Sequence, residues 1–392
     1  MFRRFASTAR FAAALAFVAG CESAPPDAPD ARPAGLDYDA IAGKLLDRLD
    51  LQRGERVLLV TVPGRFDVLT ESLRSGVRAA GAVDLGVWAE EGEAPSSWST
   101  EFTERLAGTD GEARQAVLGE VDAAVMMPGA TAEHLVYAGL QRVLAGGRGR
   151  TVHFHWSGAY ALDGTLLDMN PARDAVYQRV LLETDYPALA EAQRAFEAAM
   201  RDALVRVTTP AGTDVRFRIG DRPVTRQDGD ASAARAAQAR NLIDREVELP
   251  AGAVRVAPVE ETVEGRIVFP PSVWEGTPVR DLTLVFEAGR VVDVSAAAGV
   301  EAALAEMDAA GAAGHAFREL AVGFNPLLAI PASGESWIPY YGYGAGVVRL
   351  SLGDNTELGG AVGGGYVRWN FFVDATVEVG GDVWVQGGRL VR

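Results

Sequence analysis

His153 and His155 stand one residue apart, and that spacing is the first in the chain that suggests chemistry. In a strand, side chains two apart share a face, as some zinc sites require. A strand end with two hydrogen-bonded histidines reads the same way. No carboxylate or third histidine lies nearby in sequence, which favours the hydrogen-bonded pair. His134 and His315 fall in helix-like stretches and read as surface or capping residues. Six aromatic residues gather late in the chain: Trp337, Tyr340, Tyr341, Tyr343, Tyr366 and Trp369. They read as core packing or as the lining of a groove between domains. Gly344-Ala-Gly346 and the Gly363–Gly365 run lack the strand–turn–helix context of a dinucleotide fingerprint. No Walker A sequence, Gly-x-Ser-x-Gly elbow or His-Glu-x-x-His occurs.

Cys21 is the one cysteine, which excludes an intrachain disulfide and a Cys-based zinc site. Its chemistry lies in its position. Arg3, Arg4 and Arg10 precede an apolar stretch, Phe11–Val18, and small residues lead into Cys21. These are the parts of a secretory signal, and the apolar run is too short to span a bilayer. Val18-Ala-Gly-Cys21 resembles the lipobox of bacterial lipoproteins. The resemblance implies a signal peptide over 1–20, a diacylglyceryl thioether on Cys21, and a lipid-anchored place in the cell envelope. Residues 22–35 carry four prolines and no large apolar side chain, so 21–35 reads as an extended, disordered tether.

The formal charge is −16, and removing Met1–Gly20 takes away three arginines and no acids, leaving −19. So acidic a body argues against nucleic-acid binding and against a polybasic membrane patch. With 48% hydrophobic residues, the chain has ample material for sizeable cores.

The elements behind these residues change character near position 205. Helical spacing over Tyr38–Leu49, Asp67–Ala80, Glu112–Leu118, His134–Leu144 and Pro187–Leu204 alternates with apolar strands at Arg56–Val62, Val83–Trp88, Ala123–Met127 and Thr151–Trp156. That alternation predicts an α/β domain over 36–204 with a mostly parallel sheet. Residues 205–392 read as an α+β domain rich in antiparallel strands. Among the predicted strands are Val205–Thr209, Asp214–Ile219, Asp281–Glu287, Val347–Leu352 and Trp369–Val379. Helices are expected at Val300–Met307 and His315–Leu320. Asp228–Gln238 reads as a surface helix or loop, and Gly359–Gly365 as a mobile loop or tight connection.

Several stretches, in order, resemble the thermophilic aminopeptidase T family of metallopeptidases. Leu49–Val60 resembles the family's opening helix-to-strand segment, and Gly212–Asp214 with Leu249–Gly265 its Pro-x-Gly-Glu-Val and Ala-Pro stretch. Leu284–Val292 resembles its hairpin, Arg318–Asn325 its Gly-Glu segment, Val347–Gly353 its Val-His strand, and Val367–Asp374 its Ile-His-Trp-Asp segment. The resemblance implies an aminopeptidase T-like fold over about 36–392, a homodimer, and two divalent metals, zinc or cobalt. It implies as metal ligands two Glu, two His, a Tyr and an Asp. Here those positions hold Ala253, Glu319, Arg349, Thr356, Arg368 and Asn370 in chain order, so only Glu319 is kept. Shifting the alignment brings Glu260 or Glu261 to the Ala253 position. No shift supplies a histidine after His315.

Arginine has no lone pair to give a metal. Two unit charges 4 Å apart interact by about 4 kcal/mol at an effective dielectric near 20, so an arginine there repels a divalent ion. The expectation is a catalytically degenerate protein with no cofactor, in which Arg349 and Arg368 pair with Glu319. Such a cluster is either a structural plug or a net positive pocket for an anionic small molecule or peptide. The alternative is an active metal-dependent aminopeptidase with a site rebuilt around His153, His155 and Glu319, cleaving N-terminal residues from peptides.

Overall fold

Asp37 caps the first helix through the backbone N–H of Ala40, and Tyr38–Leu49 buries Ile41, Ala42, Leu45 and Leu49 on one stripe. Asn170 and Asp185 cap two further helices, Pro171–Glu183 and Tyr186–Met200, each with proline in its first turn. The computed structural model describes residues 35–331 and 334–392. The signal segment, Cys21 and the tether up to residue 34 therefore lie outside the described residues. Gly35–Arg392 form one compact unit. No described helix is long and apolar enough to cross a membrane.

The first sheet is five-stranded and parallel, ordered Glu246–Leu249, Arg150–Phe154, Ala123–Met126, Arg56–Thr61, Val83–Ala89. Its central strands bury almost every residue, because helices cover both faces. One edge strand, Glu246–Leu249, comes from the later half of the chain and was not expected. Its register sets Glu248 beside His153.

The second sheet runs Val367–Arg368, Val348–Gly353, Phe317–Gly323, Ala253–Val256, Val224–Arg226, with Phe371–Phe372 also on Val348–Gly353. Its pairings are antiparallel. A third, eight-stranded sheet begins with Arg290–Ser295 and Thr283–Glu287 at one edge. The α/β-then-antiparallel organisation thus holds.

Two local readings need correction. His315–Leu320 is not a helix: Phe317–Gly323 is a strand with all seven residues buried. A strand covered on both faces shows no alternation, so its mixed polarity mimicked a helical pattern. The expected strand Trp369–Val379 is broken into Phe371–Phe372 and Thr376–Val379. Of the two readings of Gly359–Gly365 the tight connection fits, since Asp354 accepts from the N–H groups of Gly364 and Gly365 at 2.9 Å each.

Gly323 closes the Glu319 strand where the chain passes under Gly344. A Cβ at Gly323 would lie 2.0 Å from the Gly344 carbonyl oxygen, so only glycine fits. That close approach brings the Tyr340–Tyr343 segment down beside the second sheet.

Candidate functional site

The site begins with a bulge. Phe317 pairs with Leu352 and Glu319 with Ser351, so Arg318 is the extra residue. Consecutive strand residues normally face opposite ways, but here Arg318 and Glu319 reach one cluster, with Arg318 Nε 3.9 Å from Glu319. Glu319 is completely buried. Arg349, from the neighbouring strand, forms an ion pair with Oε1 at 2.9 Å. Arg255, from the strand on the other side, approaches Oε2 at 3.1 Å. Ser351 Oγ adds a hydrogen bond at 3.2 Å. Glu357 closes the group by accepting from Arg255 at 3.1 Å and from Arg318.

Burial alone would push the Glu319 carboxyl up. The Arg255, Arg349 and Arg318 charges outweigh it and hold the group well below the usual carboxylate range. Burial likewise opposes the Arg255 charge, and Glu319, Tyr343, Glu357 and Glu248 together more than compensate.

Beside this cluster lies a cavity of about 60 Å³ lined by residues of both sheets. Arg255 and Arg349 reach it from the antiparallel sheet. His155 and Glu248 reach it from the parallel one, and Tyr341, Tyr343 and Trp369 complete it. Tyr343 donates its hydroxyl to Glu248, whose other oxygen is 4.0 Å from Arg255. Tyr341 has a φ of 52°, rare for a bulky residue, and is held by a 2.8 Å bond from its N–H to the Gly158 carbonyl. A side chain at Gly158 would collide with the Tyr341 ring at 2.3 Å. Backbone in so uncommon a region, fixed from both sides, is typical of ligand clamps. Arg349 lies 5.1 Å from the Trp369 ring centroid, a cation–π distance.

His153 and His155 stack with ring centroids 3.5 Å apart. Tyr137 donates to Glu246 at 2.9 Å and sits 2.7 Å from His153 Nδ1. The hydroxyl has one proton, so with Glu246 ionised His153 Nδ1 carries the proton of a neutral imidazole, and with Glu246 protonated the carboxyl donates to Tyr137 and Nδ1 accepts. Burial pushes His153 well down, and His155 adds to this. His155 is also lowered by burial, partly offset by Glu248. Glu246 is pushed up to about 7 by burial, against the bonds from Tyr137 and Gln141.

The expected positions fare unequally. Glu319 and Arg349 meet. Arg368 does not join them: it pairs with Glu306 at 2.7 Å and stacks 3.5 Å from the Trp274 centroid. A nearer carboxylate and an indole face outcompete Glu319. The expected net positive pocket of Arg349 and Arg368 is corrected accordingly. Arg255 and Arg318 enter instead, and three arginines face Glu319, Glu357 and Glu248. Ala253 is buried two residues before Arg255, on the same strand face. Thr356 bonds Asp354 at 2.6 Å, and Asn370 donates to the Leu350 carbonyl at 3.3 Å. Glu260 is engaged by Arg222 and Asn355. His134 and His315 face Glu91 and Asp308. Of the aromatics, Tyr341, Tyr343 and Trp369 line the cavity. Trp337 and Tyr340 are core residues, and Tyr366 donates to Glu306.

Arg255, Glu248, Glu246 and Glu357 were missed. The alternation Glu246-Val-Glu-Leu249 was the available signal for a strand with a polar face. A paired-metal centre does not fit at Glu319, because guanidinium groups occupy its oxygens and offer no lone pair. Among the described residues, no three His, Cys, Asp or Glu side chains group as metal ligands.

Comparison with known proteins bears on this geometry. Residues 190–326 match the family model described as "Thermophilic metalloprotease (M29)". No curated protein matches the chain. Among solved structures, 2,5-dihydroxypyridine dioxygenase from Pseudomonas putida KT2440 superposes with a TM-score of 0.58 at 16% identity, covering 90% of this chain and 96% of that one. AmpT from Thermus thermophilus superposes with a TM-score of 0.55 at 16% identity, covering 91% and 99%. At such identities the likeness is one of fold.

Proposed function

We propose that this chain is an aminopeptidase T-like protein without metal-dependent hydrolysis, working as a ligand-binding protein of the bacterial cell envelope and anchored there by lipid on Cys21. One observation carries the reading: Glu319, the single retained ligand position, is enclosed by Arg255, Arg349 and Arg318. Each cation stands where a divalent ion would be repelled by several kcal/mol, on the order of 4 per unit-charge pair. The buried cluster is balanced in charge, and the cavity beside it is open to a small ligand.

The match to a metalloprotease family keeps peptidase activity as the hypothesis to exclude. Purified full-length protein should be assayed with aminoacyl p-nitroanilides, with added zinc or cobalt and with chelator. The expected result is no release above background in either condition. Chelator-sensitive release of N-terminal residues would overturn the reading and select a rebuilt metal site.

A further inference from the structure

The cavity beside Glu319 offers fixed charges of both signs. Arg349 spends one terminal nitrogen on Glu319 and the other on the Tyr341 carbonyl at 3.1 Å. Its Nε is buried and has no partner among the described residues. Glu248 has one oxygen engaged by Tyr343, and its other oxygen meets Arg255 only at 4.0 Å. The His155 imidazole has no side-chain hydrogen bond among the described residues, and burial keeps it uncharged. Trp369 is 38% exposed, stacks edge-on to Tyr341 at 5.3 Å, and also lines an adjoining cleft that holds Asp163 and Arg368.

A ligand bearing only a negative charge would gain Arg349 but face Glu248 and Glu319. A purely cationic ligand would gain Glu248 but face Arg255 and Arg349. Only a molecule with both charges satisfies both kinds of group, since leaving either buried group unpaired is costly. The space, about 60 Å³, is well below the size of drug-sized ligand sites and leaves room for a single small residue but not for a peptide.

Building on the binding reading above, we propose that this cavity takes a free α-amino acid as a zwitterion. Its carboxylate meets the Arg349 guanidinium, its ammonium meets Glu248, and its side chain lies against Tyr341 and Trp369. Entry is from the adjoining cleft past Trp369.

Isothermal titration calorimetry of the full-length protein against a panel of free amino acids tests this. The amino acid that binds best is then compared with its N-acetyl and carboxamide derivatives. The expected result is saturable binding that weakens by roughly tenfold or more when either end is blocked. Glu248→Gln keeps an oxygen for Tyr343, so it should fold normally by circular dichroism and weaken the free amino acid by a similar factor. Trp369→Ala, at an exposed position, should also weaken it while leaving the fold intact. No binding of any free amino acid, or binding indifferent to either blocked end, would overturn the inference. Bound metal or peptide turnover would instead overturn the reading of the previous subsection, so the two failures are distinguishable.

Discussion

Glu319 and Glu246 are both buried glutamates on strands, and their surroundings drive them in opposite directions. Glu319 sits among Arg255, Arg349 and Arg318 in the antiparallel sheet and is held ionised. Glu246 sits at the edge of the parallel sheet with only the neutral donors Tyr137 and Gln141, and burial pushes it up to about 7. Burial opposes the charge on each, and the presence or absence of a cation decides the outcome. One region is a locked ionic cluster. The other is a neutral hydrogen-bonded chain that joins Tyr137, His153 and Glu246.

Removing the carboxylate charge from the locked cluster should have the largest effect. Glu319→Gln leaves guanidinium groups buried and under-compensated, and is expected to cost about 3–5 kcal/mol in urea unfolding. A loss below roughly 1 kcal/mol would mean that the cluster is solvated and not locked.

The pH dependence of stability should separate the two glutamates. Glu319 is depressed in the folded state, so its contribution is complete above the usual value of 4.5 and lost only as pH falls below it. Glu246 is raised, so its contribution is complete below 4.5 and is lost as pH rises through about 7. The loss amounts to at most roughly 3 kcal/mol for a shift of this size. Between pH 4 and pH 8, roughly the interval where such a carboxyl titrates, Glu246 therefore makes unfolding midpoints fall as pH rises, against the opposite trend below 6.5 from His153 and His155, whose values burial lowers, and Glu246→Gln should remove the falling component. A slope unchanged in the variant would assign it to another group.

Smaller effects sharpen the picture. Tyr343→Phe removes the donor to Glu248 and should cost about 1 kcal/mol, read by thermal unfolding. Arg368→Ala breaks the Glu306 pair and the Trp274 contact, and should cost under about 1 kcal/mol. It should leave the acid sensitivity due to Glu319 unchanged. A changed acid transition would show that Arg368 reaches the cluster after all.

How far the sequence carried this account depends on the kind of element. Tyr38–Leu49 and Arg56–Thr61 were legible because one has a clean helical stripe and the other an unbroken apolar run. Phe317–Gly323 was not, because a strand buried on both faces and carrying Arg318 and Glu319 imitates an amphipathic helix. Glu246–Leu249 was too short and too acidic to read as part of a buried sheet. The meeting of Arg349 and Glu319 was legible from positional resemblance. The place of Arg368 was not, since resemblance aligns positions and does not reveal Glu306 and Trp274 waiting nearby. Arg255 was overlooked two residues beyond Ala253, although strand alternation puts both on one face.

The central claim is that guanidinium cations surround Glu319 where the resemblance implies metals. Metal stoichiometry by mass spectrometry, on the full-length protein purified with and without added zinc or cobalt, tests it most directly. The account predicts no stoichiometric metal in either preparation. About two tightly held ions per chain, the number the resemblance implies for an intact paired-metal site, would contradict it.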